Sequence, residues 1–132
     1  MKYLNLSILI LFFSSCDIHF TEKEMYGFYS PENYKNTYDT IYLKPQGIYH
    51  RKVFDKNRKL ALEMYGKWVL EKNTTIRFES FFLNLDRDII KFPELLSDTS
   101  DNGGGWIDTK KNNIQFCVGY NEGENCYQKV NQ

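Results

Sequence analysis

From Leu60 to Glu71 the chain alternates: Leu60, Leu62, Met64, Gly66, Trp68 and Leu70 hold the even positions, and Ala61, Glu63, Tyr65, Lys67, Val69 and Glu71 the odd ones. A period of two marks a β-strand with one buried face, because successive side chains of an extended backbone point to opposite sides. The even set, with Leu62, Met64, Trp68 and Leu70, is the predicted inner face. Lys72-Asn73-Thr74 turns the chain into Thr75-Ile76-Arg77-Phe78-Glu79, which alternates again. Phe81, Leu83 and Leu85 resume in the opposite phase, so a bulge or strand break is predicted near Ser80. Upstream, Asp39-Thr40-Ile41-Tyr42-Leu43 and Ile48-Tyr49-His50-Arg51-Lys52-Val53-Phe54 flank Lys44-Pro45-Gln46-Gly47, where Pro presets φ and Gly accepts the positive φ of a tight turn. Polar residues 55–59 join this hairpin to the long strand. Trp106-Ile107-Asp108-Thr109, a turn over residues 110–113, and a final hairpin around residues 117–126 complete the pattern. Only Pro93-Glu94-Leu95-Leu96 suggests a helical turn, and Asp98 to Gly105 reads as a flexible polar connector. About eight short strands at regular spacing predict an all-β fold, a single antiparallel β-barrel or barrel-like sandwich.

The first fifteen residues follow a different pattern. Lys2 is their only charge, and the apolar run from Leu4 to Phe13 ends in Ser14-Ser15 before Cys16. This reads as a secretory signal, and its apolar core is too short for a bilayer that needs roughly 20 apolar residues in a helix. Phe13-Ser14-Ser15-Cys16 resembles a bacterial lipobox, which implies cleavage before Cys16 and attachment of a lipid to its sulfur. The expected organisation is a signal peptide over residues 1–15, a lipid-anchored tether over 16–25 and a β-barrel domain over 26–132. The expected location is the bacterial cell envelope, on the periplasmic or outer-membrane face.

With Cys16 assigned to the anchor, Cys117 and Cys126 remain as a pair outside the reducing cytosol. A hairpin folded about residues 121 and 122 sets them directly opposite each other, close enough for a disulfide if the pair is twisted and not hydrogen-bonded. The alternative is two free thiols acting as small buried hydrophobes.

Tyr26-Gly27-Phe28-Tyr29 and Tyr65-Gly66-Lys67-Trp68 both carry Gly-x-aromatic, the second followed by Val69-Leu70 and then Thr75-Ile76-Arg77-Phe78. Together with Ile41-Tyr42-Leu43, Pro45-Gln46-Gly47-Ile48-Tyr49 and Tyr127-Gln128-Lys129-Val130, this resembles the small lipocalin-like lipoproteins of Bacteroidetes-type bacteria. The resemblance implies a lipocalin-like barrel. It departs from lipocalins at Tyr29, where the opening motif has Trp, and in lacking a C-terminal helix, which bears on whether the barrel encloses a ligand cavity. Asp39-Thr40-Ile41 also resembles an O-glycosylation site of such bacteria.

Charge and composition narrow the function. Lys and Arg total 17 against 17 Asp and Glu, so nothing electrostatic points to nucleic acid as a partner. The two histidines, His19 and His50, lie apart, and neither a catalytic triad nor a zinc-ligand cluster can be assembled around them. No cofactor or metal is expected. Asp98 to Gly105 matches neither a phosphate loop nor an EF-hand. Carboxylates on neighbouring predicted strands, Glu63, Glu71, Glu79 and Asp86, keep a small envelope hydrolase as the alternative function. Ten Tyr, ten Phe and two Trp are the remaining signal. Tyr42, Tyr49 and Tyr65, together with Trp68, are the candidate ligand- or partner-binding residues, with Tyr38 beside them, since such rings combine contact area with a polar tip. The predicted function is non-catalytic: a binding module for a small apolar or amphipathic ligand, or for an envelope partner protein such as an enzyme it inhibits.

Overall fold

A computed structural model describes residues 18–83, 86–94, 102–119 and 125–131. Cys16, the Asp98–Asp101 part of the expected connector and the centre of the final hairpin lie outside the described residues. The chain forms strands β1 (Gly27–Pro31), β2 (Thr37–Lys44), β3 (Ile48–Asp55), β4 (Leu60–Glu71), β5 (Thr75–Phe78), β6 (Gly103–Lys110), β7 (Asn113–Cys117) and β8 (Cys126–Lys129). Each pairs antiparallel with its sequence neighbour, and β1 pairs with β8 to close the barrel. Closure removes every free strand edge, which suits a sheet made of such short strands.

The long alternating segment is β4, and it holds the barrel's corner. Its residues 60–67 pair with β3 and its residues 68–71 with β5. Gly66 sits at that change of partner. A Cβ there would lie 2.4 Å from Cε1 of Tyr49, whose ring crosses the backbone at this point. The predicted inner face is inside: Met64 and Trp68 are buried, and Leu62 and Leu70 are partly buried against the core. Trp68 Nε1–H donates to the carbonyls of Lys44 and Ile48 at 3.2 Å each, fixing the β2–β3 turn over its ring. In that turn Gln46 and Gly47 both have φ of 66°, the geometry that a Gly-containing turn supplies.

Three local readings change. Gly103, Gly104 and Gly105 are the first residues of β6 and not part of a connector. A Cβ at Gly105 would lie 1.6 Å from the Cys117 carbonyl oxygen, so the glycine is needed there for close backbone approach. An unforeseen helical turn, α2 (Asp88–Lys91), precedes the one expected from Pro93, of which Pro93 and Glu94 are 3₁₀ and Leu95 and Leu96 lie outside the described residues. Residues 20–25, expected within a tether, are docked. The Phe20 amide donates to Asn73 O at 2.8 Å, and a short helix α1 (Glu22–Met25) begins with a capping box between Thr21 and Glu24. Phe20 and Met25 are buried, and the Tyr29 hydroxyl donates to the Met25 carbonyl at 2.9 Å. This segment covers the barrel end that carries the β2–β3, β4–β5 and β6–β7 turns.

Candidate functional site

The strand register separates the aromatic residues into two sets. Tyr49 and Trp68 point inward and are buried at 0% and 3% exposure. Inside they join Tyr29, Phe78, Phe116 and Tyr127, with ring centroids of neighbouring pairs 4.9 to 5.6 Å apart. Such spacings suit tilted and edge-on aromatic packing. Burial pushes the Tyr49 hydroxyl up to about 12, and it donates to the Ser80 carbonyl at 2.8 Å.

An ion pair lies within this aromatic interior. The Arg51 guanidinium donates to both Asp39 oxygens, from Nε at 3.0 Å and from Nη2 at 2.7 Å, and also to the Tyr127 hydroxyl at 2.8 Å. Both charged side chains are wholly buried. Burial works against the guanidinium charge, but the adjoining Asp39 carboxylate outweighs it and raises the Arg51 pKa. Arg51 Nη1 donates to the Phe82 carbonyl, and the Phe81 ring lies 4.3 Å from the guanidinium carbon.

Phe81 and Phe82 are not strand residues. They follow Ser80, whose φ of 54° is the break expected from the phase change, and they turn the chain into the mouth of the barrel. The segment is tied a second time by Asp86. Its carboxylate accepts the backbone N–H groups of Lys35, Asn36 and Thr37 at 2.8 to 3.0 Å, gathering the β1–β2 loop around one side chain. Partial burial would raise this carboxyl, but those three bonds prevail and hold it below the ordinary range. Asp86 is thus a structural acceptor.

Tyr42 and Tyr65 face outward, away from Tyr49 and Trp68. Register places Phe28, Tyr42, His50 and Tyr65 directly opposite one another across β1, β2, β3 and β4. Phe28 stacks on Tyr42 at 4.3 Å and His50 on Tyr65 at 4.2 Å, both nearly parallel. Lys44 Nζ lies 5.3 Å from the Tyr42 ring centroid, and Glu63 bonds His50 at 2.8 Å. Tyr65 is 61% exposed. Tyr38 lies further along β2, under the Arg58 guanidinium at 3.7 Å.

Three of the four candidate carboxylates are engaged by separate partners, and Glu79 lies near the same Arg77 that Glu71 binds. Glu63 pairs with His50 and Lys52, Glu71 with Arg77 at 2.6 Å, and Asp86 with the backbone. Among the described residues no group of three or more His, Cys, Asp or Glu stands where it could hold a metal ion. Cys117 and Cys126 are directly opposed across β7 and β8 and joined as a disulfide. Thr40, in the glycosylation-like triplet, lies in mid-β2, and its neighbour Asp39 is committed to Arg51.

The Asp39–Arg51–Tyr127 network was missed in the sequence although a signal existed. Asp39 shares the parity of Ile41 and Leu43, and Arg51 that of Tyr49 and Val53, so both were placed on inward faces by the same alternation that revealed the strands. The chain forms a lipocalin-like barrel with a buried aromatic cluster. In the described residues that interior is occupied by the chain's own side chains. No known protein family, curated protein or solved structure matches the chain.

Proposed function

We propose that the protein is a cell-envelope lipoprotein, anchored through Cys16, that acts as a non-catalytic binding module for an envelope partner protein. The observation that carries this reading is the outer row Phe28–Tyr42–His50–Tyr65, an aromatic strip on a barrel whose interior, among the described residues, is packed with its own aromatic side chains. Rings held by cross-strand stacking are already ordered, so contact with a partner costs them little conformational entropy. The test is affinity capture from envelope extract with the parent and with a Tyr42→Ala/Tyr65→Ala variant. A protein retained by the parent and lost by a variant of unchanged melting behaviour supports the reading. Equal capture by both would refute it.

A second reading, binding of a small apolar or amphipathic ligand, draws on Phe81. This ring enters the barrel mouth from the segment after β5, so its displacement would expose an aromatic interior without unpairing any strand. Extraction of the native protein into organic solvent followed by mass spectrometry tests it. A stoichiometric apolar compound would favour the interior over the outer row.

A further inference from the structure

The docking of residues 20–25 removes most of the expected tether, and this constrains how a lipid-anchored chain would sit. Ile18 is the first described residue and lies next to the covered barrel end. Only Asp17 separates Cys16 from Ile18, and the two residue steps reach about 7 Å at full extension. Phe20, two residues further, is already buried on that end and bonded to Asn73. A lipid on Cys16 would therefore enter the bilayer immediately beside the barrel, with no spacer to hold the domain away.

The surface at this end has the chemistry of a membrane interface. Ile18, Ile48, Val69 and Val130 are exposed there. Tyr26 and Val130 border an open groove of about 650 Å³ that leads from this end up the wall to Phe28 and Tyr42 of the outer row. Lys23 of α1, Lys44, Lys72 and Lys111 of the turns, and Lys129 of β8 surround these groups, against Glu22, Glu24 and Glu71. Aliphatic side chains, aromatic rings with polar tips and long basic side chains are the groups that partition to the headgroup region. The opposite end has the same balance, Lys56, Arg58, Lys59, Arg87 and Lys91 against Asp55, Asp86 and Asp88, and it exposes Leu60, Ile90 and Phe92, so the position of the anchor, and not surface composition, selects the end that meets the membrane.

We infer that the barrel end carrying α1 and the β2–β3 and β4–β5 turns rests directly on the lipid surface that holds the anchor, so that the Phe81 mouth faces away from the membrane. This rests on the lipoprotein reading of Cys16. The experiment uses mature protein extracted from the membrane of producing cells, with intact mass reporting the state of Cys16. The protein is reconstituted into vesicles of phosphatidylethanolamine and phosphatidylglycerol containing a lipid with a diazirine on its headgroup, then irradiated and mapped by peptide mass spectrometry. Adducts are expected on peptides covering residues 44–48, 67–72 and 129–131, several-fold above those covering 55–60 and 86–91. A lipidated Cys16 with adducts spread evenly over both ends would overturn the inference and leave the anchor intact. An unmodified Cys16 would remove the anchor reading and the inference together.

Discussion

Arg51 brings a full charge into a barrel whose other inner positions are mostly aliphatic or aromatic, and Asp39, Tyr127 and the Phe82 carbonyl take up its donors. Removing only the cation leaves a desolvated carboxylate without its counter-charge. Arg51→Met should therefore cost about 3–5 kcal/mol, whereas Asp39→Leu combined with Arg51→Met should lie much nearer the parent, since both desolvation penalties vanish together. Urea melts of the two variants measure the difference, and equal losses would show that the network does not act as a pair. Gly66 gives a complementary case with no charge involved. The ring of Tyr49 occupies the space of its missing Cβ, so Gly66→Ala must displace a wholly buried aromatic and should cost about 1–3 kcal/mol. Pairing it with Tyr49→Leu should recover part of that loss, because the shorter side chain vacates the site.

At the scale of elements, alternation was the most legible signal. It located β4 and its inner face, the β2–β3 hairpin and the break at Ser80, because each is written in side-chain parity or in one turn residue. The segment after β5 was less legible. Phe81 and Leu83 alternate as a strand would but lie outside any strand, and the segment's placement depends on Asp86 meeting three amides of a loop about 50 positions earlier in the chain. The onset of β6 was hidden because Gly103 to Gly105 have the composition of a loop, while their role is to let backbones approach. The aromatic candidates divided for a related reason: Tyr49 and Tyr42 have opposite parity relative to the barrel wall, and aromatic character alone does not tell inside from outside. Asp86→Asn tests the tie. One acceptor oxygen is lost, and the cost should be about 1–3 kcal/mol at neutral pH, with hydrogen exchange rising first in residues 81–88. The pH dependence has a definite sign. The folded pKa is below the unfolded one, so the tie contributes fully above the unfolded value near about 3.9 and is lost as pH falls through the folded value. The gap between parent and Asp86→Asn should close on acidification, and a gap constant down to strongly acid pH would mean that the carboxylate charge is not what holds the segment.

Closure of the barrel is a property of the whole molecule, and it is where local patterns say least. Eight strands in sequence order fit a sandwich as readily as a barrel until β1 meets β8, a pairing of residues 29–31 with 127–129 that no local pattern encodes. Three features converge on this seam. Tyr127 reaches from β8 into the Arg51 network, Tyr29 on β1 packs its ring on Phe116 of β7, and the disulfide fixes β7 to β8. The last of these is covalent but spans only nine positions. Closing so short a loop restricts the unfolded chain by an amount equivalent to about 2–3 kcal/mol, which is small beside the packing of a whole barrel wall. Cys117→Ser/Cys126→Ser should therefore lower stability by no more than about 3 kcal/mol and leave the closed barrel folded, because β8 keeps its ladders to both neighbours and Tyr127 keeps its place in the core. Denaturant melts give the stability change, and the near-ultraviolet circular dichroism of the buried tyrosines reports closure. A variant that keeps its strand signal but loses the near-ultraviolet bands would show that β8 is held by the disulfide and not by its packing, and would make closure depend on an oxidising environment.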